Sequence, residues 1–91
     1  MTTIRLLPEG KPWIVAKLTE QGSVLRVELG QQPGELPAFR TLDCLEVVTA
    51  SKIFMGPVLS CSGLIMTVDI EHVLDRERLH TLQALWGLDA E

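Results

Sequence analysis

The segment IFMGPVLSCSGLIMTV, residues 53–68, holds no Asp, Glu, Lys or Arg, in a chain where 22% of residues are charged. A stretch this apolar is a membrane span, a core element or a surface kept for contact. It falls short of the roughly 20 apolar residues that a spanning helix needs. Gly56, Pro57, Ser60, Ser62 and Gly63 also interrupt it. The remaining reading is a pair of strands around a turn, and that choice governs how the rest of the chain is interpreted.

A two-residue turn at Ser62–Gly63 pairs Cys61 with Leu64, Leu59 with Met66 and Met55 with Ile70, which makes one face of this hairpin wholly apolar. The reverse face carries Phe54, Val58 and Ile65 beside Ser60, Thr67 and Asp69, so it is half apolar as well. Pro57 lacks the amide that a central ladder requires, which puts this strand at an edge or breaks it there. The segment WIVAKLTEQGSVLRVELG reads the same way. A turn at Gln21–Gly22 sets Ile14 opposite Leu29, Ala16 opposite Val27 and Leu18 opposite Leu25, with Lys17, Thr19, Arg26 and Glu28 on a wet outer face.

Between the hairpins, residues 30–37 carry two prolines and two glycines and form an irregular connection inside one domain. Residues 38–51 fit either a helix beginning near Pro37 or a strand. The β-branched Val47, Val48 and Thr49 favour the strand. The last segment predicts a helix capped by Asp75, with Glu77 at the positive end of its dipole and Gly87 as its stop. Leu79, Leu82, Leu85 and Trp86 fall on one stripe of that helix. Each would contribute about 1.5–3 kcal/mol on full burial, before entropy is charged against it.

At 91 residues the chain is one domain, residues 1–91, with 46% apolar content suited to a single core. A formal net charge of −4 argues against nucleic acid, and no Lys/Arg cluster beside an apolar helix face supports a membrane surface. The opening residues do not read as a signal peptide, and the expected setting is cytoplasmic. Cys44 and Cys61 are then free thiols, most simply packed or idle ones. His72 and His80 are eight apart, so they do not form a metal-binding i, i+4 pair, and the acidic residues show no carboxylate dyad. No Gly-rich phosphate cradle occurs and tyrosine is absent, so neither a cofactor nor an aromatic platform for single strands is expected.

The expected fold is therefore α+β: a small, twisted antiparallel sheet of about five or six short strands, or a partly closed barrel, with one C-terminal helix packed on it. Such a sheet has more apolar area than one helix covers. It must close on itself or present a face to another protein. The first reading is a small acidic, non-catalytic protein-interaction domain, an adaptor, inhibitor or assembly factor. Its partner would be another protein or a second copy in a homodimer, bound through Ile53, Phe54, Met55, Val58 and Ile65. The alternative is a small ligand-binding domain or enzyme with a pocket between helix and sheet, using Cys61 or His72 as its polar working group.

Overall fold

Two glycines set the framework. Gly22 (φ +63°) and Gly63 (φ +61°) each occupy the first position of a two-residue turn, where a positive φ suits glycine and strains other residues. The computed structural model describes residues 1–76. All of its elements are strands: β1 (Thr3–Leu6), β2 (Trp13–Gln21), β3 (Val24–Leu29), β4 (Cys44–Val48), β5 (Lys52–Ser62), β6 (Ile65–Asp69) and β7 (His72–Asp75). The turns at Gly22–Ser23 and Gly63–Leu64 join β2 to β3 and β5 to β6, giving Gln21 opposite Val24 and Ser62 opposite Ile65. Both turns sit one residue later than the sequence predicts, because glycine takes the first turn position and not the second.

That single step alone leaves the same side chains on each face; two bulges exchange them. β3 keeps its expected face, with Leu25, Val27 and Leu29 buried. On β2, Trp13 and Val15 are the buried residues, not Ile14 and Ala16. A bulge at Ala16 then returns Leu18 to the inner side, opposite Val27. On β5, Phe54, Gly56 and Val58 face inward while Leu59 and Cys61 are exposed, with a second bulge between Val58 and Ser60.

The sheet closes. Its order runs β1, β2, β3, β6, β5, β4 and back to β1, because β4 pairs with β5 on one side and β1 on the other. Residues 38–51 do supply a strand, β4, whose Leu45 and Val47 are fully buried. β1, which the sequence reading did not identify, pairs with β2 through Ile4 and Trp13 and with β4 from Thr3 to Leu6. β7 extends the line of β6 along β5, pairing Met55 with His72 and Ile53 with Leu74.

The expected α+β fold is thus overturned: the described part is an all-β, closed six-stranded antiparallel barrel, and no helical element occurs among the described residues. The helical stripe of Leu79, Leu82, Leu85 and Trp86 lies outside the described residues. Its proposed cap, Asp75, ends β7 opposite Lys52. Closure removes the need for a cover on the inner face. Twelve apolar side chains fill the interior, Ile4, Trp13, Val15, Leu25, Val27, Leu29, Leu45, Val47, Phe54, Val58, Met66 and Val68, and no described polar residue is buried with them. At about 1.5–3 kcal/mol each before entropy, they outweigh four helical residues of similar kind.

β5 carries the most demanding geometry, pairing with β4 on one edge and with β6 and β7 on the other. The Val58 amide donates to the Asp43 carbonyl on the β4 side, whereas the Met55 carbonyl accepts from the Glu71 amide on the β7 side. Amide directions alternate along a strand, so the missing N–H of Pro57 falls on the β6–β7 side. There the ladder breaks between Asp69 and His72, and the Ile70 amide turns instead to the Ser23 carbonyl. Proline therefore sits inside the barrel wall where no donor is required, and not at the sheet edge. A Cβ at Gly56 would collide with the Asp69 carbonyl at the same break. Gly56→Ala is expected to lower the unfolding free energy by about 1–3 kcal/mol through this overlap. Equilibrium denaturation checks it, and an unchanged midpoint would show that the wall does not approach Gly56 so closely.

Candidate functional site

The five residues proposed for partner contact do not share one face. Phe54 and Val58 point into the barrel, at 3% and 0% exposure. Ile53 and Met55 are half-buried on the outer side of β5, beside Val48 and Glu46 of β4 and Leu74 and His72 of β7. Glu46 also meets Arg5 of β1 at 2.8 Å, and the carboxylate holds the guanidinium above its ordinary pKa through that hydrogen bond and its charge. Ile65 is exposed on β6, opposite Ser62 and Glu28.

A different apolar group lies around the distal half of the β5–β6 hairpin. Leu59, Leu64 and Ile65 are all exposed there. Leu42 lies on the Leu59 side of this group, since its amide donates to the Val58 carbonyl at 2.8 Å. Sequence reasoning missed Leu42, Leu59 and Leu64. Alternation without a bulge places Leu59 and Leu64 on the inner face, while a glycine-first turn puts Leu64 in the turn itself.

Leu42 is unusual in a second way. The Asp43 amide donates to the Arg40 carbonyl at 3.0 Å, closing a turn over residues 40–43. The Asp43 carboxylate returns the favour by accepting from the Arg40 amide at 2.9 Å. Leu42 occupies the third position of this turn with φ +75°, a conformation that type II turns normally assign to glycine or asparagine. Its side chain is 75% exposed. The fold thus holds a strained backbone to display an oily side chain that contributes little to the core. Strain of this sort collects where a residue is used for something other than stability.

The distal half of β5 also has an open edge. β4 pairs with β5 only as far as Pro57, and among the described residues no strand lies on that side of Leu59–Ser62. Ser62 and Ile65 flank the two-residue turn as a hydrogen-bonded pair, so the backbone groups of Cys61, one residue back, point towards this open side.

The two polar residues considered for chemistry are far apart. Cys61 lies six residues along β5 from Met55, the partner of His72, which separates them by roughly 20 Å. Both are exposed, and they do not form one site. Cys44, opposite Pro57, is four residues from Cys61 along the same strand, roughly 13 Å and beyond the reach of a disulfide. A cleft of ≈ 390 Å³ lies elsewhere, under residues 30–37, against Lys11, Pro12 and Trp13. Two of its polar side chains tie the loop down: the Trp13 Nε1 donates to the Gly30 carbonyl at 2.8 Å, and the Gln32 Oε1 accepts from the Ile14 amide at 2.8 Å. This loop therefore acts as a clasp on β2.

No protein-family model, curated protein or solved structure matches the chain.

Two substitutions separate wall from surface. Leu42→Gly relieves about 1–2 kcal/mol of left-handed strain against about 0.5–1 kcal/mol of added chain entropy, so the variant is expected to be at least as stable as the parent. A loss above about 1 kcal/mol in denaturation would mean that Leu42 is a packing residue. Phe54→Asp is expected to unfold the barrel, since it places an unpaired charge in an apolar interior, whereas Ile65→Asp should stay within about 0.5 kcal/mol of the parent. Equal tolerance of both by circular dichroism and thermal melting would contradict the assignment of faces.

Proposed function

We propose that this protein is a small acidic, non-catalytic interaction domain, of the adaptor, inhibitor or assembly-factor kind, that binds another protein through the apolar group at Leu42, Leu59, Leu64 and Ile65. The observation that carries the reading is Leu42: a bulky side chain displayed at 75% exposure on a backbone conformation that disfavours it. The packed interior supports the same reading, because twelve apolar side chains fill the barrel. A barrel this small holds side chains where a wider one holds a ligand. Binding would place leucines at the centre of the contact, with Glu28, Arg40 and Asp43 nearby as a polar rim that selects among partners.

Light scattering over a concentration series, run beside the fluorescence of a hydrophobic dye, tests this. The native protein is expected either to exceed the mass of one chain or to bind the dye. The Leu42→Glu, Leu59→Glu double variant should lose whichever signal is seen while keeping its circular dichroism. A strict monomer that leaves the dye dark would remove the basis for the proposal.

A further inference from the structure

We infer that the open edge of β5 is a self-pairing edge: a second copy of this chain adds to it in antiparallel fashion, with the two Cys61 residues facing each other across a twofold axis. The inference rests on reading the neighbouring leucines as a protein contact, and it names the occupant.

Three observations lead there. First, Leu59–Ser62 is β strand with β6 on one side and no strand on the other among the described residues, and the backbone groups of Cys61 point to the vacant side. An unpaired edge accepts another extended chain by main-chain hydrogen bonds. Second, proteins that keep such an edge free usually guard it with charge. Residues 53–68 carry none, whereas the outer strand β7 ends in Asp75 followed by Arg76. Third, charge selects the partner. Asp and Glu outnumber Lys and Arg by 12 to 8, so two copies repel over much of their surface. They meet without that penalty where neither bears a charge, and residues 53–68 form such a place.

The geometry is then constrained. A twofold axis makes the contact isologous, so each residue faces its symmetry counterpart. Antiparallel pairing through Cys61 places Ser60 of one copy opposite Ser62 of the other, and the two Cys61 Cα atoms about 5.5 Å apart. Leu59 and Leu42 lie beside the seam in both copies, where the apolar area that makes the pairing favourable is concentrated. The Ser60 and Ser62 side chains carry no charge to oppose the approach.

Cysteine provides the readout. The chain has two cysteines, so Cys44→Ser leaves Cys61 alone. This variant is mixed with a short bismaleimide, which links two thiols only when they are close, and its mass is followed by light scattering in parallel. The expected result is a concentration-dependent mass of two chains and a covalently linked dimer. Cys61→Ser, which keeps Cys44, should dimerise equally and yield no linked species. Adding Leu59→Glu to the Cys44→Ser chain should lower the linked fraction about tenfold or more, because the contact then buries charge.

A two-chain mass without linkage through Cys61 overturns the edge geometry. A monomer at every concentration that still binds the hydrophobic dye through Leu42 and Leu59 overturns self-pairing, and leaves the surface to a different protein. A monomer that leaves the dye dark removes both this inference and the reading on which it stands.

Discussion

The structure depends on one seam, the pairing of β1 with β4. Without it, β2, β3, β6 and β5 would form an open sheet with an apolar inner face, and a separate layer would have to cover that face. With it, Leu45, Val47 and Ile4 come together, and the inner face becomes an interior bounded by strands on every side. The seam is short, four residue pairs from Thr3–Val48 to Leu6–Leu45, extended by the Leu7 amide donating to the Cys44 carbonyl. Arg5 and Glu46 reinforce it from outside. Their ion pair is partly solvated, so its weight is in fixing register more than in adding stability.

Closure also dictates what β5 must be. One strand borders β4 with its first half and β6 with its second, and it changes partners around Pro57. Each departure from a regular strand falls near that change. Gly56 admits the Asp69 carbonyl, Pro57 meets the gap between β6 and β7, and beyond the bulge at Leu59 the strand runs on into water. The exposed leucines and the open edge are thus the far side of the same solution that seals the core. The uncharged run divides: Phe54, Gly56, Val58, Met66 and Val68 fill the barrel, while residues 59–65 remain in water.

Much of this was legible in the sequence. The two hairpins, the irregular connection over residues 30–37 and the strand character of Val47 and Val48 all follow from alternation and β-branching. An apolar sheet must close on itself or bind a partner, and the barrel takes the first course. The failures share a physical origin. Two-residue turns that differ by one step put the same side chains on each face, so alternation alone places Ala16, Cys61 and Leu59 inside in either register. The bulges at Ala16 and Leu59 exchange the faces, and a bulge has no fixed sequence mark. β1 was too short to show a pattern, and β7 was hidden among acidic residues that suited a helix entry. At the candidate site, Ile65 is exposed, while Phe54 and Val58 lie inside because the bulge at Leu59 exchanges the faces of β5. Leu42 could not be found from the sequence, because its significance lies in a backbone angle.

Backbone amide exchange across the full chain tests the closed barrel most directly. The amides of Arg5 and Glu46, which face each other across the seam, should exchange as slowly as those of the β2–β3 hairpin, both opening only with global unfolding. Seam amides that exchange orders of magnitude faster than the hairpin's would describe an open sheet, and the separation of sealed core from displayed leucines would fail with it.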